Sequence, residues 1–326
     1  MTKKKKKLKF SKHVKRFWLL FAMLFIAVIS IFLLASVGVF GKMPSFEQLE
    51  NPQTNLATEI ISQDSITLGK YFKQNRTPVD YDQLPKHLVN ALVATEDERY
   101  YSHSGIDAKG TLRAIAYLGS KGGASTITQQ LAKQLFTGVR SNNKLEAVLQ
   151  KIKEWIIAIR LEKQYTKDEI IAMYFNIFDF TRGAVGIRSA ARIYFGKEPQ
   201  DLNIEESATL VAMFKNPVLY NPYRDIFKDN ALQRRNQVFV QMARNEFITE
   251  EQKDSLQALP LELNYTPEYQ NDGRATYFRA ELKKFMNNWI KDNPKDDGKL
   301  YNLYSDGLKI YTTLDSKAQA YAENAV

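Results

Sequence analysis

The chain has 326 residues, no cysteine and three histidines. Disulfides, thiolate metal sites and thiol nucleophiles are therefore excluded, and His13, His87 and His103 are too few and too scattered for a histidine-based metal site. The net charge of +10 belongs to one end: nine of the 46 basic residues lie in the first sixteen, leaving 37 to face 36 acidic ones, so the body lacks the basic face of a nucleic-acid-binding domain.

Residues 1–16 read as a basic cytoplasmic tail. Phe17 to Gly41 carries no charged residue, and about 20 apolar residues span the hydrocarbon core of a bilayer. The run is longer than the apolar core of a secretory signal, and no small-x-small cleavage site follows it. Residues 17–41 are therefore expected to be an uncleaved, single-pass transmembrane signal anchor in the cytoplasmic (inner) membrane. By the positive-inside bias the N-terminus stays in the cytoplasm and everything from about Lys42 onward lies on the extracytoplasmic, periplasmic side. Residues 42–57, polar and containing Pro44 and Pro52, read as a juxtamembrane linker.

Thr58 to Phe72 predicts two short strands around Gln63-Asp64-Ser65, a β-hairpin near the start. From Leu84 to about Met286 the pattern is mostly helical. Pro85 fits a helix start, with Leu88, Ala91, Leu92 and Thr95 following at helical spacing. The next segment, Gly123-Ala-Ser-Thr-Ile-Thr-Gln-Gln130, is the most informative of the chain. Ser125, Thr126, Thr128, Gln129 and Gln130 place five hydrogen-bonding side chains within six positions, after a Gly122-Gly123 pair that lets the backbone approach a ligand. Such a stretch suits a large anionic group. Carboxylates on either side, Glu96-Asp97 and Glu154, suggest acid–base work on what is bound.

The clearest helix runs from about Lys144 to Lys163. Leu145, Val148, Leu149, Ile152, Ile156 and Ile159 form one apolar stripe, and Glu154 lies roughly opposite it with Lys151 one turn before. On this helix alone, a solvated face carrying an i,i+3 ion pair competes with a functional reading. Glu162 lies on the same helix but outside any motif, and its change to Gln is expected to be nearly silent. Thr166 predicts an N-cap for a helix over about 167–176, with Asp168 and Glu169 in its first turn. Arg182 to Gly196 is rich in small residues, as for close helix packing. Leu308 to Leu314 alternates like a strand. No internal repeat is present.

Glu96-Asp97-Glu98-Arg99-Tyr100-Tyr101-Ser102-His103-Ser104-Gly105, Gly123 to Gln130 continued by Leu131-Ala-Lys133, Gln150-Lys-Ile-Lys-Glu154, Lys167 to Asn176, and Glu206-Ser-Ala208 with Lys215-Asn-Pro217 occur in this order. Together they resemble the membrane anchor plus glycosyltransferase domain (glycosyltransferase family 51) of class A penicillin-binding proteins, which polymerise peptidoglycan. The resemblance implies a mainly α, lysozyme-like domain over 58–265, with a small membrane-facing lobe for which Leu112, Ile115, Ala116, Tyr117 and Leu118 are candidates. It also implies that 266–326 is a linker leading toward a transpeptidase domain that is absent. Ser141-Asn-Asn-Lys144 matches a bare Ser-x-x-Lys pattern, but no Lys-Thr-Gly follows it. The third motif has Gln150 where the family usually has Arg, and the first has Tyr100 where it usually has Phe.

The resemblance further implies the polymerisation of lipid II into linear β-1,4 glycan strands, with inversion and release of undecaprenyl diphosphate. Glu96 matches the catalytic base and Glu154 the second catalytic carboxylate. Asp97, Ser125, Thr126, Gln129, Gln130, Lys133 and Lys151 would form the diphosphate and sugar cradle, Asp97 also acting on the proton affinity of Glu96. A divalent cation, Mg2+ or Mn2+, near Glu154 stays open. The expected partners are lipid II, the lipid-linked glycan strand, the bilayer and cell-wall synthesis proteins; moenomycin-type inhibitors would compete for the site, and no nucleic acid is involved. Two other readings remain at this level: a glycan-cleaving, lysozyme-like or lytic enzyme, and a non-catalytic scaffold for cell-wall assembly.

Overall fold

The computed structural model describes residues 12–41, 43–44, 58–71, 78–117, 123–138, 140–266, 274–295, 298, 300–304 and 306–325. Most of the basic tail, most of the 42–57 linker, Gly122, Leu118 and the side chain of Ile115 lie outside the described residues.

Helix α1, Lys12–Ser36, is the apolar run. At 25 residues it is about 37 Å long, and among the described residues it alone is long and apolar enough to cross a membrane. Strands β1 (Thr58–Ile61) and β2 (Thr67–Tyr71) form the expected antiparallel hairpin, with Ile60 opposite Gly69. The helical body follows: α2 (Lys86–Glu96), α3 (Ala108–Ala116), α4 (Ile127–Ala132), α5 (Lys144–Gln164), α6 (Lys167–Ile177), α7 (Ile187–Phe195), α8 (Ile204–Met213), α9 (Lys228–Arg244) and α10 (Glu250–Ala258). The chain continues through α11 (Thr276–Asp292), β3 (Lys309–Tyr311) and α12 (Ser316–Asn324). The expected mainly helical class holds.

Local chemistry sets the helix ends. Pro85 precedes α2. Thr166 caps α6 in a reciprocal box with Glu169, and Asn203 with Glu206 does the same for α8. Each such cap satisfies amides that the first turn leaves unpaired and contributes about 1 kcal/mol. Helix α8 is buried on nearly every side, from Ser207 to Met213. Around it pack Leu88 and Leu92 of α2, Phe175 of α6, Ile193 of α7 and Phe239 of α9 in one core.

A second, smaller core lies elsewhere. Ile60, Leu68 and Tyr71 of the hairpin pack with Ile290 of α11, with Leu303, and with the partly buried Leu282, Met286, Ile310 and Leu314. Strand β3 joins β1 in parallel, Ile60 opposite Ile310, giving sheet order β2-β1-β3. The buried Arg279 side chain lies across Gly69, where an added Cβ would collide with its guanidinium. The hairpin thus finds its apolar partners within 266–326, the segment expected to be a linker, and not in the helical body. A two-stranded hairpin is marginal alone, and α11 and β3 supply the surface that it buries.

Helix α5 differs from its sequence reading in the face it buries. Ala147, Glu154, Ile157, Ala158 and Leu161 point inward. Leu145, Val148 and Ile159 of the apolar stripe are exposed, Leu145 at 76%. The stripe side leans on the anchor: Trp155 stacks on Phe32 of α1 at 6.1 Å, and Arg160 donates to the Ser36 carbonyl at 3.4 Å. An apolar stripe predicts an inward face only where the surroundings are water. Here it runs beside a membrane-type helix. The exposed Leu112 and Tyr117 of the α3 region extend the set of outward apolar side chains.

Candidate active site

Glu96 is the last residue of α2 and Asp97 its C-cap, so the two carboxylates leave the helix in different directions. The half-buried Glu96 accepts from Gln130 Nε2 at 3.0 Å, and Arg234 of α9 stands 3.9 Å from its other oxygen. Gln130 in turn accepts from the Tyr174 hydroxyl at 2.7 Å.

Asp97 turns inward. Its carboxylate accepts the first backbone N–H of α4, from Ile127, at 3.0 Å and pairs with His103 Nε2 at 3.0 Å. Both side chains are more than nine-tenths buried. A carboxylate at a helix N-terminus, met by a histidine, holds the loop 97–103 against α4. This gives His103 the structural place that its residue type suggests.

The polar segment 123–130 divides into two sets. Thr126 caps α4 by accepting from Gln129 N and donates to the Gly105 carbonyl at 2.7 Å, and Gln129 Nε2 donates to the same carbonyl at 3.2 Å. Gly105 has φ +84°, and a Cβ there would meet the α5 backbone at Ala158, 2.9 Å away. Thr126 and Gln129 therefore fasten the first motif to α4 and α5, and both are almost wholly buried. Ser125, Gln130 and Lys133 remain accessible from the cleft.

Across that cleft, α5 presents Lys151 and Glu154. The Lys151 ammonium donates to Ser125 Oγ at 2.8 Å and to Glu154 Oε2 at 3.0 Å, and Thr137 Oγ1 lies 3.4 Å from Glu154 Oε1. Glu154 is buried, so the solvated-face reading fails: the ion pair lies in a wall, not on the surface. The cleft holds about 430 Å³ and is lined by Ser125, Gln129, Gln130, Lys133, Gln134, Arg140, Ala147, Lys151, Glu154, Phe178 and Phe214. A second, polar cleft of about 300 Å³ contains Glu96, Arg99, Asp107, Arg113, Gln241 and Arg244. Ser125 borders both.

Arg140, Gln134 and Arg234 were not singled out from the sequence. No motif spacing points to them, because they enter from a connecting loop, a helix end and a distant helix. Gln150 does not line either cleft; its carbonyl accepts Ser141 N at 2.9 Å and ties down the start of α5. Ser141 donates its hydroxyl to Glu146. Glu162, expected to be inert, has a side chain only 5% exposed that accepts from Thr128 and, at 2.8 Å, from Lys167. Lys167 also donates to the His103 carbonyl and sits 4.2 Å over the Tyr100 ring. The correction has a simple cause: Glu162 shares the inward face with Glu154, a face that the outward stripe concealed.

A divalent cation does not fit at Glu154. One of its oxygens already carries the Lys151 ammonium, three cations line the same cleft, and the described residues hold no cluster of acidic or histidine side chains able to chelate a metal.

A family profile described as Transglycosylase matches residues 64–243. Penicillin-binding protein 1A of Escherichia coli (strain K12) is 34% identical over 290 residues, covering 87% of this chain and 32% of its own length. Penicillin-binding protein 1A of Aquifex aeolicus (strain VF5) is 34% identical over 294 residues, covering 89% and 38%. A crystal structure of Penicillin-Binding Protein 1A from Haemophilus influenzae aligns with 84% of this chain and 29% of that one, at TM-score 0.40 and 23% identity. The chain spans about a third of the length of the curated relatives it matches. With the profile covering more than half of its residues, the chain belongs to the transglycosylase family.

Proposed function

We propose that this chain is a peptidoglycan glycosyltransferase that joins lipid II to a lipid-linked glycan strand, forming linear β-1,4 polymer and releasing undecaprenyl diphosphate. The observation that carries the reading is a junction: Glu96 in a polar cleft meets, across Ser125, a cleft lined by Lys133, Arg140 and Lys151. A carbohydrate hydroxyl in the first and a sugar diphosphate in the second would face one another.

Glu96 takes the proton from the acceptor 4-hydroxyl. The freed oxygen attacks the donor anomeric carbon from the face opposite the diphosphate, and the carbon–oxygen bond to the diphosphate breaks with its electron pair leaving on phosphate. The α link becomes β in one displacement, and no covalent intermediate is required. Lys133, Arg140 and Lys151 stabilise the charge that develops on the leaving group. Glu154 acts on Lys151, holding the ammonium between itself and Ser125 at fixed distances. Arg140 supplies the cation that Gln150 does not.

The anchor reading follows from α1: the basic tail in the cytoplasm, the helical body on the outer side, the bilayer as partner, and other cell-wall synthesis proteins as further partners. Residues 58–71 and 276–324 are proposed to form one small α/β unit, and 78–266 the catalytic unit. Purified protein incubated with lipid II in detergent should yield glycan polymer on a gel. Cleavage of preformed glycan with no polymer from lipid II would sink the reading.

A further inference from the structure

We propose that Gln130 and Tyr174 form a positioning chain that orients the carboxylate of Glu96, a role distinct from diphosphate binding. The proposal rests on Glu96 being the base. Three elements converge at this point: Glu96 ends α2, Gln130 lies in α4 and Tyr174 in α6. A carboxylate only accepts hydrogen bonds, so the group 3.0 Å from Glu96 Oε2 is the amide nitrogen of Gln130. The Gln130 carbonyl then points the other way and must accept, so Tyr174, 2.7 Å away, donates. Every bond direction in the chain is fixed by the carboxylate at its end.

Tyr174 is suited to hold that direction. It is fully buried and its ring stacks on Phe214 at 4.9 Å, so the hydroxyl is set by core packing. Burial, and next the charge of Glu96, push its phenol well above 10.0, so it stays a donor. The neighbouring Gln129 reaches instead to Gly105, so the two glutamines of the pair do different work. With Oε2 engaged by Gln130, Oε1 is the oxygen left for the incoming proton. Arg234, at 3.9 Å, is beyond hydrogen-bond reach of it.

The test is a kinetic cycle in the full chain with lipid II, using Tyr174→Phe, Gln130→Met, the double variant and Glu96→Gln. Tyr174→Phe should lower kcat about tenfold with KM unchanged, the rate equivalent of about one hydrogen bond. Gln130→Met should lower kcat at least as much, and adding Tyr174→Phe to it should cost nothing more, because the tyrosine acts only through the amide. Additive losses in the double variant would overturn the chain. A raised KM with normal kcat in Gln130→Met would also overturn it, by returning Gln130 to the diphosphate cradle. If Tyr174→Phe fails to fold, Gln130→Met decides alone on that split of KM against kcat. Full activity of Glu96→Gln would sink the base assignment itself; an inactive Glu96→Gln beside fully active Tyr174→Phe would sink only the chain.

Discussion

Of the carboxylates flagged from sequence, Glu96 and Glu154 face clefts with groups a ligand could meet, whereas Asp97, which borders the cleft of Glu96, is taken up by Ile127 N and His103. Glu96→Gln should lower polymerisation by about a hundredfold or more, the usual scale for a general base, with substrate binding largely kept; turnover on a polymer gel and substrate affinity check it. Lys151→Ala leaves Glu154 unpaired in a wall, and it should destabilise by about 2 kcal/mol, less than a fully enclosed pair because Lys151 is partly open. Adding Glu154→Gln should recover much of the melting temperature and none of the activity. Glu162→Gln weakens the acceptor of both Thr128 and Lys167, and a drop of about 2 kcal/mol in thermal unfolding is expected. Gln150→Arg should leave the KM for lipid II unchanged, since that side chain faces Ser141; a tighter KM would place it at the diphosphate after all. Residue types in fixed spacing made Glu96, Ser125, Lys151 and Glu154 legible. The division of labour among Ser125, Thr126, Gln129 and Gln130 was not, because it depends on where Gly105 and Tyr174 arrive from distant parts of the chain.

Helix ends were readable and helix faces less so. Thr166 predicts its cap because the cap chemistry is local, and the start of α5 at Lys144 is equally local. The inward face of α5 was misread because hydrophobic periodicity reports the apolar side, not the buried side, and here the apolar side lies along the anchor. Leu145→Ser with Val148→Ser should therefore leave the unfolding temperature nearly unchanged, as both side chains are already exposed. Activity in liposomes should fall more than activity in detergent. A large loss of thermal stability would show that these residues pack inside the protein.

At the scale of the whole molecule, the hairpin was visible in sequence but its partner was not: β1 and β3 are about 250 residues apart, and no periodicity reports so distant a pairing. Asp64, in the hairpin turn, accepts from the Ser316 hydroxyl at 2.6 Å and from Ser316 N at 3.0 Å. These bonds, with Ser62, hold its carboxyl well below the usual 3.8. A depressed folded-state value contributes stability above about pH 3.8 that is lost as the pH falls below it. Urea unfolding between pH 5 and pH 2 should thus show a steeper acid loss for the wild type than for Asp64→Asn; parallel curves would mean the clasp draws nothing from this carboxylate.

Under the proposed function, the two faces of α5 also bear on how a lipid-linked substrate is met. The side chains of α5 that line the Lys151 cleft and those that lean on the anchor helix are separated by one helix diameter, about 10 Å. On that reading, a substrate with its tail in the lipid reaches Lys151 by sliding in the plane of the bilayer, and its encounter is governed by how many molecules share each unit of area. Turnover in mixed micelles should follow the mole fraction of lipid II among detergent molecules, and diluting at constant substrate with extra detergent should slow the enzyme although nothing has been added that binds to it.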